Sequence, residues 1–278
     1  MKKTSALVLL AFPLWAAAAD KVTVEEIVAG HLASIGTPEA RAAVKTRLAS
    51  GKAQMKFVEG GQGLLDGKAF LLGEGAKFRV AMPFNTNPHY WGEQILFDGS
   101  KATLGFSQPG ERSPLGMLLN RFDAVLKEGL VGGALCPSWA LLTLEARQPK
   151  LTYKGLKDGL YQVSYQMKKG QEEEVITLYF EPQTFRHVKT SYAATVSSPM
   201  VAKKNDSSRQ VEAHIEVDET FSDFAAVDGL TLPHRWMIRT NLAASRTQIR
   251  EWSLAFEQIL HNQAIDPKTW TLDPDSGK

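Results

Sequence analysis

The chain has a single cysteine, Cys136, among 278 residues. No internal disulfide can form, so stability has to come from a packed core, and a chain of this length can build a large one. Excess charge of either sign is also lacking. The formal net charge is +2, and two of the basic residues, Lys2 and Lys3, belong to a leader-like start. Losing them brings the basic count of 32 down by two, level with the 30 acids. A chain without a basic footprint is a poor partner for nucleic acid, and it offers no polybasic face to anionic headgroups.

Catalytic signatures are missing as well. There is no G-x-S-x-G, no H-E-x-x-H, no Walker A loop and no paired-cysteine zinc spacing. "GQGLLDG" has glycines, but its spacing is wrong for a dinucleotide fingerprint. The six histidines (His31, His89, His187, His214, His234, His261) are scattered. No two have the i, i+3 or i, i+4 spacing of a helix face or the i, i+2 spacing of a strand face. His31 falls on an apolar helix face and reads as a satisfied core histidine. Cys136, beside Pro137, reads as a small buried hydrophobe, because nothing basic nearby in sequence lowers its pKa. No cofactor and no metal are expected.

The start of the chain carries a positive signal. Lys2 and Lys3 precede a short apolar core, "TSALVLLAFPLW", and Ala17 and Ala19 fit the A-x-A cleavage pattern. Residues 1–19 read as a signal peptide cut after Ala19. The apolar run is too short to span a bilayer, and no cysteine follows it to take a lipid anchor. The mature protein, one domain over residues 20–278, is expected to be exported, periplasmic and monomeric.

"TVEEIVAGHLASIG" opens with a capping box, Thr23 and Glu26, and stops at Gly36. Thr37-Pro38 restarts a short helix through about Thr46. From Leu48 the period changes to two. "KAQMKFV" puts Ala53, Met55 and Phe57 on one side, "KFRVAM" does the same with Phe78, Val80 and Met82, and "WGEQILF" leads into an Asp98-Gly99 turn. A second helical region begins at Ser113-Pro114, with Leu115, Leu118, Phe122 and Val125 on one face. "LVGGALCPSWALLTL" follows, with no charge at all. The rest alternates as strand. In "FSDFAAVDGLTLPHRW", Asp228-Gly229 reads as a hairpin turn, and Asp223, His234 and Arg235 are neighbours by hairpin geometry alone.

About ten strands spaced about 4.8 Å apart and about 25 Å long make a sheet of roughly 1200 Å² per face. Two or three short helices cover about half of that. A bare apolar face of such size is not tolerated in water, so the sheet must curl over its helices and leave an apolar cavity. The fold class is α+β: a curled antiparallel sheet, an unclosed half-barrel, wrapped over a few helices. A tightly filled core is the alternative.

Several stretches resemble the LolA/LolB-type lipoprotein carrier superfamily: "EEIVAGHLASIGTPEARAAVKTRLASGKAQM", "FDGSKATLGF", "ITLYFEPQTFRHVKTSY" and "FSDFAAVDGLTLPHRW". Glu181-Pro182-Gln183-Thr184 is similar to that family's D-P-x-T hairpin, and Asp228-Gly229 to its D-G-x-x-x-P hairpin. The resemblance implies a non-enzymatic carrier that holds lipid or lipoprotein acyl chains, with an envelope membrane protein as a further partner. The chain departs from the carriers in length, and the sequence aligns no residue with their lid arginine. Candidate cavity and lid residues are Met55, Phe57, Phe78, Val80, Phe97, Leu118, Phe122, Trp139, Tyr165, Trp236 and Trp252. The uncharged residues 130–144 are either core or a glycine-hinged lid closing on residues 115–126. Two other readings stay open: an envelope-lipid sensor or adaptor, and a hydrolase using His187 or His234. N-terminal sequencing of the periplasmic protein is expected to begin at Asp20; cytoplasmic retention would contradict export.

Overall fold

The computed structural model describes residues 22–84, 90–105, 114–121, 123–168, 174–197, 212–243 and 246–272. Helix α1 (Val24–Ile35) begins at the capping box: Glu26 N–H donates to Thr23 Oγ1 at 3.1 Å and Thr23 N–H to Glu26 Oε2 at 2.8 Å. Helix α2 (Pro38–Ala43) has Thr37 as its cap and Pro38 in its first turn. It ends before Thr46 because that residue already starts the first strand, where its hydroxyl donates to Gln263 O at 2.7 Å.

Twelve strands follow in one antiparallel sheet. They are β1 (Thr46–Glu59), β2 (Leu64–Glu74), β3 (Lys77–Pro83), β4 (Gly92–Phe97), β5 (Ala102–Leu104), β6 (Lys150–Lys157), β7 (Leu160–Gln166), β8 (Glu174–Phe180), β9 (His187–Ser197), β10 (Glu212–Val227), β11 (Leu230–Ala243) and β12 (Thr247–His261). Their spatial order is β5-β4-β3-β2-β1-β12-β11-β10-β9-β8-β7-β6. Two meanders therefore meet where β1 pairs with β12, and the two outer edges, β5 and β6, do not pair with each other. The half-barrel is unclosed. It has twelve strands where alternation counts about ten, the short β5 and the divided hairpins making the difference.

Alternation sets the inward face. On β10 it carries Ala213, Ile215, Val217, Glu219 and Phe221, and on β3 Phe78, Val80 and Met82. On β12 the face changes part-way. Pairing steps from Ser50↔Gln258 to Gly51↔Phe256, leaving Glu257 as an extra residue. Trp252, Leu254 and Phe256 are buried before this bulge, and Ile259 and His261 after it. A bulge flips the parity of everything beyond it. Gly51 makes the close approach possible: a Cβ there would sit 1.9 Å from Ala255 O. The turn between β10 and β11 has Asp228 at φ 49° and Gly229 at φ 78°, the two positive values of a type I′ hairpin.

Because β5 and β6 lie on opposite edges, the chain that joins them must cross the whole concave side. It does so with α3 (Pro114–Arg121), α4 (Ala124–Lys127), the 3₁₀ turns Gly133–Leu135 and Ala140–Thr143, and α5 (Leu144–Arg147). Leu115, Leu119, Val125, Leu126, Leu130, Leu135, Trp139 and Leu141 are all buried in the same core as the strand side chains. The open apolar cavity expected from the sequence is thus occupied by the protein's own crossover. Among the described residues, two voids of about 10 and 30 Å³ border it, the scale of a single water. No described helix is long and apolar enough to cross a membrane.

Gly51→Ala is expected to cost about 3 kcal/mol, the range for forcing atoms into a packed site, because the obstructing atom is backbone. Chemical denaturation measures it; a variant as stable as wild type would mean that the two meanders do not meet as described.

Candidate functional site

Residues 129–144 form a plug in the concavity, and buried polar side chains hold it from beneath. Arg47, inward on β1 and 4 % exposed, donates through Nη1 to Ala134 O at 2.6 Å and Leu135 O at 2.8 Å. Its Nε donates to His261 Nε2 at 3.0 Å, which fixes His261 as the tautomer carrying its proton on Nδ1, directed at Asp228 Oδ2 3.0 Å away. Burial lowers the Arg47 pKa to about 10.

Glu219, inward on β10 and 1 % exposed, accepts from the Gly132 N–H at 2.8 Å and from the Tyr192 hydroxyl at 2.6 Å. The Gly132 N–H is aimed there by a left-handed turn, φ 81° at Gly132, which favours glycine. The indole N–H of Trp236 faces the same carboxylate short of full hydrogen-bond geometry. Burial raises the Glu219 pKa from 4.5 to about 7, and the hydrogen bonds restrain the rise.

Trp139 is fully buried, and its Nε1 donates to His31 Nε2 at 2.9 Å. Its ring stacks on His187 with centroids 4.9 Å apart, and Phe180 and Phe221 pack against the same imidazole. His187 Nε2 lies 2.9 Å from the Thr190 hydroxyl. Burial holds His31 down to about 3 and His187 well below its usual value, so both are neutral. At the plug's far end, Arg147 donates to Lys127 O at 3.0 Å and Ser138 O at 3.1 Å, and Tyr165 donates to Glu128.

Of the residues singled out from sequence, Met55, Phe78, Val80, Phe97, Trp139, Tyr165, Trp236 and Trp252 are buried in the one core. Trp139 therefore lies at the bottom of the plug and not at the mouth. Phe57 is on the same face as Met55 but near the strand end, half-buried under the Arg250 guanidinium. Leu118 is on α3, its side chain outside the described set, and Phe122 lies outside the described residues. Leu115, Leu119 and Val125 line one void with Val131 of the uncharged segment.

Asp223 and Arg235, the hairpin neighbours, form an ion pair at 3.0 Å, both half-exposed or more. His234 Nδ1 lies 3.1 Å from Phe256 O. Those contacts are structural. Arg47 and Glu219 were missed, although parity marks both: each is a charge at an inward position of an alternating strand.

No family model matches the chain, and no curated protein matches it. Similar solved structures exist. A LolA superfamily protein from Nitrosomonas europaea is 15% identical, covering 91% of this chain and 99% of that one, with a TM-score of 0.45. A DUF1329 family protein from Desulfovibrio piger is 12% identical over 89% of this chain and 97% of its own, with a TM-score of 0.44. The MucA/MucB complex from Pseudomonas aeruginosa matches at 8% identity and a TM-score of 0.23, over 86% of this chain and 100% of that chain.

Glu219 makes stability depend on pH. A carboxyl whose folded pKa is raised adds stability that is complete below pH 4.5 and lost as pH rises through about 7. The loss from this group is about 3 kcal/mol at most. Urea melts of wild type and Glu219→Gln between pH 5 and 8 are expected to diverge, wild type falling relative to the variant. Parallel curves would mean that the carboxyl does not titrate in that window.

Proposed function

We propose that the chain is an exported, periplasmic, non-enzymatic binding protein for the acyl chains of a lipid or lipoprotein, and that residues 129–144 occupy the ligand site until ligand displaces them. One observation carries this reading: an apolar, charge-free plug is fastened by buried polar groups to the floor of a half-barrel. Buried irregular chain needs partners for its backbone groups, but neutral side chains can supply them, and every buried charge used instead costs several kcal/mol unless paired. Arg47 and Glu219 grip the plug's backbone, at Ala134, Leu135 and Gly132, and not its side chains. Backbone groups released from such a grip are satisfied by water. The apolar surface the plug leaves is covered in turn by acyl chain, worth about 0.8 kcal/mol per buried CH₂. Acyl chain can thus replace the plug's apolar contacts with the floor, which is what reversible loading needs.

The hydrolase reading is weaker. Imidazoles held neutral with pKa values far below 6.5, as at His31 and His187, are poor general bases. The Thr190 hydroxyl beside His187 is equally buried.

The exchange is read at Trp139. Its emission, isolated as the difference between wild type and Trp139→Phe, starts from a fully buried ring and is expected to move to the red when a palmitoylated lipopeptide is added. Binding with no change at Trp139 would sink the displacement, and no binding would sink the acyl-carrier reading itself.

A further inference from the structure

The larger void, about 30 Å³, lies at the end of the plug next to α1 and α2. Arg41 and Arg47 both line it, with Ile35, Val44, Leu142 and Leu230 as apolar walls. The two guanidinium groups are held by neutral acceptors. Arg47 has two carbonyls and an imidazole, and reaches the Asp228 carboxylate only through that imidazole. Arg41 donates to Leu32 O and, at 2.7 Å, to Gly36 O. The acid that feels Arg41 is Glu39, fully exposed on the first turn of α2. Two positive charges thus border one amphipathic space, and no carboxylate of the described residues pairs with either. The smaller void is different: its lining is apolar but for Glu219 and Tyr192.

Resting on the acyl-binding reading above, we infer that the ligand carries an anionic head group, a carboxylate or a phosphate, which seats between Arg41 and Arg47 and draws Arg47 off the Ala134 and Leu135 carbonyls. Charge-assisted hydrogen bonds are about twice as strong as neutral ones, and an arginine fork fits a two-oxygen anion better than two successive carbonyls. The head group is then the key that frees the plug, and the tail fills the space the plug vacates. Leu142 and Ala134, which wall the basic void, belong to the plug, so its departure enlarges the head-group site as it opens the tail site.

The test is isothermal titration of the mature chain with three probes of equal tail: palmitate, palmitamide and palmitoyl lysophosphatidate. At least one anion is expected to bind about tenfold or more tightly than the amide, the scale of a charged hydrogen bond gained. The preference should fall to about twofold in Arg41→Gln and be kept only in part in Arg41→Lys, which retains the charge and loses the fork. Tight palmitate binding means that a carboxylate suffices; tight lysophosphatidate binding alone assigns the site to phosphate. Should Arg41→Gln not fold, salt decides with the wild type, since the preference must shrink at high ionic strength. Equal binding of all three probes, or a preference unchanged in Arg41→Gln, overturns the anion site and leaves acyl binding standing. Failure of all three to bind overturns both.

Discussion

A single antiparallel sheet with one apolar face has no second sheet to lie against. Everything else in this molecule answers that constraint. Helix α1 covers one part of the concave face, and the crossover between β5 and β6 covers the rest because topology leaves it no other route. The face is covered, but by a segment only partly in regular helix, broken at Gly132, Gly133 and Pro137. Such a segment satisfies few of its own backbone groups. Those groups turn downward for partners, and Arg47 and Glu219 are where they find them. The buried charges are thus a consequence of using irregular chain as a core.

The floor under the plug is also not uniformly greasy. Thr190 and Thr240 are fully buried, and the Trp236 indole N–H, the Thr240 hydroxyl and one nitrogen each of His31 and His187 have no hydrogen-bond partner among the described residues. Unsatisfied polar atoms in a packed core are destabilising by about 1–3 kcal/mol each. Those of His31 and His187 lie beside the plug, where Phe180, Phe221 and Trp139 surround His187.

Much of the frame was legible because it depends on local chemistry. The Thr23–Glu26 box, the Thr37-Pro38 restart and the Asp228-Gly229 turn each need only their own neighbours. Period-two alternation identified the buried side of β1, at Ala53 and Met55, and of β3. Three things were not legible, each for a physical reason. The bulge at Glu257 depends on where β12 meets β1, some two hundred residues away, and it reverses the inward face after Phe256. The filling of the cavity depends on β5 and β6 being opposite edges, which no window of sequence contains. Arg47 and Glu219 were passed over because a charge in a strand is read as solvent-facing by default, although Ala49 and Val217, two residues away, shared their side.

The place of the β1–β12 pairing has a bearing on how the chain is made. Each meander is built from neighbours in sequence, but the seam between them joins the first strand to the last. Until β12 emerges, β1 is an open edge of fourteen residues carrying Ala49, Ala53 and Met55 on a bare face. Contacts of such separation form slowly, and an unpaired edge invites pairing with another chain in the meantime. Lys45, Lys52 and Lys56, spaced along and just before that edge, supply like-charge repulsion against a second copy until β12 arrives, and Lys52 then meets Glu257 of β12 at 2.7 Å.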